Sequence, residues 1–140
     1  MRFLNQEIKN EKDWGLLILR ITFGLALFYG HGMGKLAKVF SGAEIKFLDP
    51  IGIGATPSFY LAAFADGVCA LLLIVGLFTR FTTIMLIFTF IVILYQHGVV
   101  EADGFDIMEL RYMYFGAFVA LFFTGAGKFS LDHFLAKKRQ

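Results

Sequence analysis

Some 22 residues from Gly15 to Leu36, GLLILRITFGLALFYGHGMGKL, are apolar almost throughout and yet carry Arg20, His31 and Lys35. Few folds accept that combination. A helix of about 20 such residues, rising about 1.5 Å each, crosses the hydrocarbon core of a bilayer. With about 100° between successive residues, Arg20, Gly24, Leu27, His31 and Lys35 fall on one narrow arc. Ionisable groups in a membrane interior are costly, so they face a bundle interior, a partner or water, and they mark function by default. The stretch therefore reads as a membrane helix with a polar stripe.

Three further apolar runs follow. The pattern predicts helices over about residues 15–36, 59–78, 81–97 and 109–124, an all-α integral membrane four-helix bundle read as one domain over residues 1–140. A hydrophobic share of 58% supports a lipid-facing surface over an ordinary soluble domain. Residues 1–13 are polar and are expected at the membrane surface, with Trp14 as an aromatic anchor. The mixed charges of this segment and the length of the apolar run after it suit a retained signal anchor better than a cleaved peptide. The connector Ala37–Ser58 contains Pro50, Gly52, Gly54 and Pro57, which break regular structure; being apolar, it is expected to pack on the membrane surface or over the bundle. Ser130 is positioned to cap a short amphipathic tail helix.

Four spans place both termini on one side, with Arg2, Lys9, Lys12, Arg80, Lys128, Lys137, Lys138 and Arg139. The other side holds Lys35, Lys38 and Lys46, and its second loop carries only acids. The excess of positive charge puts both termini in the cytoplasm.

That orientation gathers candidates in the outer half of the bundle: His31, Lys35, Asp66, Gln96, His97, Glu109 and Arg111. Asp66 should not stay charged at its depth without a cation, so its expected partner is Lys35 or His31. The pair Asp66–Lys35 reads either as an ion pair that fixes helix packing or as part of an outward-opening polar pocket that binds a small molecule or relays a proton. Arg20 alone belongs to the inner leaflet, with a reach that allows snorkelling to the surface. His31 and His97 could ligate a haem between facing helices, the less favoured use of both. His133 reads as a surface residue. Cys69 reads as packing, and the glycines at 24, 30, 32, 34 and 67 as sites of close helix approach. Tyr29, Tyr112 and Tyr114 can donate hydrogen bonds, although tyrosine is common at membrane interfaces.

Several classes drop out. A formal charge of +2 is too mild for nucleic-acid binding. One cysteine excludes an intrachain disulfide, a CxxC redox pair and a cysteine-rich zinc site, and no metal-binding set is read. No phosphate-binding loop, dinucleotide motif, Ser-His-Asp signature or metalloprotease helix occurs.

RITFGLALFYGHGMGKL, FLDPIGIGATPSFYLAAFADGVCALLLIVGLFTRF and the terminal GAGKFSLD together resemble the DoxX family of small bacterial membrane proteins, over about residues 15–133. The resemblance rests on the set: HGxxK at 31–35, the acid at 66, GLFTR at 76–80 and the tail motif. Two positions depart from the family pattern, with Asp66 in place of the usual glutamate and Lys128–Phe129 in place of Arg–Tyr. The resemblance implies a multi-pass protein of the bacterial inner membrane. It also implies a link to redox assemblies, since relatives are described as subunits of a thiosulfate:quinone oxidoreductase. The expected function is thus a subunit of a quinone-linked membrane oxidoreductase, partnered by a membrane or peripheral subunit, with an oligomer compatible. The alternative is a non-enzymatic membrane protein that binds a lipid or small solute or scaffolds another complex. Nothing in the residues names a cofactor; quinone is the one the resemblance makes compatible.

Overall fold

Apolar residues on every side of a helix can be buried only by other helices or by lipid, and this chain uses both. The computed structural model describes residues 9–138. Residues 1–8, expected at the membrane surface, and Arg139 of the terminal basic cluster lie outside that range. Four helices are long and apolar enough to cross a membrane: α1 Glu11–Ser41, α2 Ala55–Val75, α3 Thr79–Val100 and α4 Phe105–Thr124. A short α5, Leu131–Lys138, follows. Helix α1 packs on α2, α2 on α3, α3 on α4, and α4 returns to α1. This ring is the expected four-helix bundle. Its core holds Leu27, Leu73, Leu86, Phe90, Phe118 and Leu121. Ile18, Leu25, Ile84, Ile91 and Phe123 face outward, as lipid-facing side chains of a multi-pass membrane protein do.

The helices run longer than their apolar runs suggest. Helix α1 begins at Glu11 and continues to Ser41, where Gly42 takes a left-handed φ of 66° and stops it. Helix α2 starts at Ala55 because Pro57 sits in its first turn, where the missing N–H removes no helical bond. The connector is therefore residues 42–54, shorter than the expected 37–58. Helix α4 starts at Phe105, with Asp106 in its first turn facing the positive end of the helix dipole.

Three of the spans contain a single π turn: Phe28–Gly32 in α1, Phe64–Cys69 in α2 and Gln96–Val100 in α3. A π turn inserts one residue and rotates everything beyond it by about 100°. This corrects the expected stripe on α1. The buried line runs Arg20, Gly24, Leu27 and then Gly32, and His31 is turned off it into an exposed position.

At the end of the bundle that carries the termini, Arg20 is fully buried, so it does not snorkel to the surface. Its guanidinium donates to the carbonyls of Leu73 (3.4 Å), Ile74 (3.2 Å) and Phe129 (2.6 Å). It thus adds to the Gly76 N–H already on the Leu73 carbonyl, supplies a donor to the Ile74 carbonyl at the end of α2, and ties both to the tail. Asp132 accepts the N–H groups of Phe78 and Thr79, both at 2.8 Å, at the start of α3. Asp13 accepts the Lys128 N–H at 2.8 Å, and the Lys128 ammonium lies 3.7 Å away. Ser130 caps α5 as expected, accepting the His133 N–H at 3.2 Å.

Candidate functional site

Each π turn places an ionisable residue directly before a glycine: His31–Gly32, Asp66–Gly67 and His97–Gly98. The glycines explain the arrangement. A Cβ on Gly32 would overlap the Asp66 carbonyl, one on Gly67 would come 2.7 Å from the Leu36 side chain, and one on Gly98 would come 3.0 Å from the Met108 methyl. Glycine therefore permits close contact with the neighbouring helix at all three places. The extra residue of the π turn then carries the preceding ionisable side chain to the wall of a shared space.

That space is a cavity of about 300 Å³ at the end of the bundle away from the termini. His31 and Lys35 line it from α1, Asp66 from α2, Gln96 and His97 from α3, and Arg111 from α4. All four spans contribute, so six of the seven candidates meet. Glu109 does not join them: it is exposed and absent from the lining, since it lies on the face of α4 opposite the buried Met108 and Tyr114. Most of the remaining wall is apolar, including Leu27, Leu61, Phe88, Phe90 and Ile93. An apolar chamber with a few convergent polar groups is the usual form of a small-molecule site.

Lys35 and Asp66 are paired, and the pair is lopsided. The Lys35 ammonium meets Asp66 Oδ2 with 21% of its side chain exposed, whereas the Asp66 side chain keeps 3%. The second carboxylate oxygen, Oδ1, is buried with no hydrogen-bond partner. The aspartate is thus long enough to reach the lysine, although it is one methylene shorter than the glutamate of the resemblance. Similarly, the departure at Phe129 leaves the tail attached, because the link to Arg20 uses its backbone carbonyl while its ring packs 4.7 Å from Trp14.

His97 is held by acids of its own loop. Its Nδ1 lies 2.8 Å from both Asp103 and Glu101, and Gln96 donates to Glu101 at 3.2 Å. These His, Glu and Asp groups have potential ligand atoms within 4.8 Å of one another, with the imidazole already serving both carboxylates. Arg111 donates to the Ile107 carbonyl of its own helix. Cys69 is fully buried in the core, one helical turn from Asp66.

The connector forms the remaining wall through Phe47, Pro50 and Ile51. Asp49 holds its shape: the carboxylate accepts the N–H groups of Ile53 (3.0 Å) and Gly54 (2.8 Å) and the Ser58 hydroxyl (2.8 Å). The Ser58 hydroxyl, followed by the Gly54, Ile53 and Gly52 N–H groups, keeps this exposed carboxyl below its ordinary pKa, against a smaller opposing effect of burial.

The connector, expected on the membrane surface or over the bundle, lies over the cavity. One contributor escapes the sequence reading. Tyr114 looks like one interfacial tyrosine among several, but it is 5% exposed and lines the cavity. The available signal was spacing, since Arg111, Tyr114, Phe118 and Leu121 recur at three- and four-residue steps along one helix face.

Residues 15–98 match the DoxX family, and residues 58–140 match an overlapping family described as TQO small subunit DoxD. No curated protein and no solved structure matches the chain.

Proposed function

Because this chain belongs to the DoxX family, we propose that it is a bacterial inner-membrane subunit of a quinone-linked oxidoreductase whose cavity receives a quinone or a small reductant. Both termini then lie in the cytoplasm and the cavity opens outward. The observation that carries the reading is the Lys35–Asp66 pair on the wall of an apolar chamber to which all four spans contribute polar groups. A packing ion pair needs two helices and no space beside it. A chamber of about 300 Å³ is the size of a small ring-shaped headgroup.

Reducing a quinone to a quinol takes two electrons and two protons. The electrons come from a partner subunit, in keeping with the description of DoxD as the small subunit of a larger enzyme. Protons pass at the cavity wall, where Asp66 and Lys35 share a hydrogen bond and His31 stands exposed at the opening. Asp66 gives or takes a proton at its carboxylate, and Lys35 keeps the site electrically balanced.

The test is quinone reduction by the chain with its natural partner, compared with Asp66→Asn. A tenfold or greater fall in rate, with the partner still bound, supports the reading. An unchanged rate, or native mass spectrometry that finds only bulk phospholipid on the extracted protein, favours the lipid-binding or scaffold alternative.

A further inference from the structure

Tyr114 is held at the cavity by rings on three sides. Its ring packs edge-on to Phe23 at 5.5 Å, tilted on Phe90 at 5.2 Å and stacked on Phe118 at 5.9 Å. Three aromatic partners from α1, α3 and α4 leave the ring one orientation. The residue is 5% exposed, and its hydroxyl, which has no side-chain hydrogen bond among the described residues, is not sealed in the core but keeps access to the cavity. A tyrosine held in a cage of rings normally finds a partner for its O–H, and here that partner can come from what fills the cavity. Phenylalanine would fill the same aromatic cage, so the hydroxyl adds nothing to the packing. The residue sits on the wall of the cavity that also holds the Lys35–Asp66 pair.

We infer that the Tyr114 hydroxyl anchors the ligand of this cavity, donating a hydrogen bond to an oxygen carried on the ligand's ring. This rests on the quinone reading above and assigns a ligand-binding role to a residue outside the ionisable set. The division of labour follows from the chemistry. Ionised Asp66 offers only acceptor oxygens, which cannot donate to a ligand oxygen, and Lys35 reaches the cavity on a flexible stem with one N–H committed to Asp66, so neither fixes the orientation of a neutral ring well. The phenol is uncharged, stiff and unsatisfied, which makes it the positioning donor. It would also share its ligand oxygen with no competing protein acceptor, so the bond forms only when the cavity is filled.

The test compares the full-length wild type and Tyr114→Phe in mild detergent, with ubiquinone-1 as the probe. Two measurements are made: the dissociation constant, and the quinone carbonyl stretch by infrared difference spectroscopy. The expected result is a five- to tenfold weaker affinity, roughly the worth of one hydrogen bond. One carbonyl band, shifted to lower frequency in the wild type, should return to its unbound position in the variant. The melting temperature of the ligand-free variant should be equal or higher, since nothing is lost in the empty protein. Equal affinities and identical carbonyl bands would overturn the role of Tyr114 and leave the quinone reading standing. Failure of the wild type to bind ubiquinone-1 at all would overturn both. A lower melting temperature with unchanged affinity would make Tyr114 a structural residue and likewise overturn the inference.

Discussion

The bundle buries a charge at each end, and the two are treated in opposite ways. Near the termini, the Arg20 guanidinium is spent on three backbone carbonyls from α2 and the tail. At the far end, Asp66 meets one cation that is itself partly solvated, and keeps one oxygen without a partner. The first arrangement binds a guanidinium to main-chain acceptors near a helix end, with only its Nε left without a partner. The second leaves polar capacity beside empty space. A charge held by backbone serves the fold, whereas a charge left half-used beside a cavity is available to a ligand.

The comparison can be broken by substitution, and the largest effect should come from the terminal end. Arg20→Met removes the donor that the Ile74 and Phe129 carbonyls share and leaves the interior without its guanidinium, and should cost about 3–5 kcal/mol of stability, with the tail released. Thermal unfolding in detergent, together with proteolysis of the segment after Thr124, checks both consequences. A loss below about 1 kcal/mol would mean that water replaces the guanidinium.

At the other end, the two partners of one ion pair should differ. Lys35→Met leaves a buried carboxylate without its cation, which costs about 3 kcal/mol or drives the acid to its neutral form. Asp66→Asn leaves a lysine that can still reach water, and should cost about 1 kcal/mol. Equal losses would show that Lys35 is as trapped as Asp66.

Gly32→Ala sharpens the role of the π turns. The added methyl overlaps the Asp66 carbonyl, so about 1–3 kcal/mol of overpacking strain is expected, together with weaker quinone binding. Gly30→Ala, one residue outside that contact and with open space around it, should be nearly silent. Asp132→Ala removes a cap from two N–H groups of α3 and should cost about 1–2 kcal/mol without changing ligand affinity.

The smallest effect concerns the connector. The Asp49 carboxyl lies below its ordinary pKa in the folded protein, so the unfolded connector binds the proton more readily. Its contribution is present above the ordinary value of 3.8 and fades as pH falls through the lower folded value. Protection factors for amide exchange of residues 43–54, corrected for the intrinsic pH dependence of exchange, should therefore fall on acidification below about pH 4, and Asp49→Asn should abolish most of that dependence. An unchanged pH response in the variant would assign it to another group.

Much of this was legible along the chain. The four spans follow from apolar length alone, and a cationic partner for Asp66, Lys35 or His31, follows from the cost of a lone carboxylate at depth. Six of the candidates share one cavity wall because an orientation rule placed them at one end. Glu109 was the exception: membrane depth says nothing about which way a residue faces around a helix. The dipeptides His31–Gly32, Asp66–Gly67 and His97–Gly98 were visible too, but glycine beside an ionisable residue becomes a π turn only when a neighbouring helix presses against it. Arg20 reads as a snorkelling residue because the carbonyl that holds it lies on Phe129, 109 positions away.

What the sequence by itself determined is a partition: which segments leave water, which groups resist leaving it, and so roughly at which end chemistry gathers. Transfer free energy acts residue by residue, and a string of letters carries it in full. What only the tertiary structure decided is which polar atoms found partners. Arg20 gives its terminal nitrogens to backbone carbonyls, Asp66 retains a lone oxygen, and Tyr114 keeps a free hydroxyl within a cage of rings. Hydrogen bonds are short and directional, so their assignment waits until helices distant in sequence are packed against one another.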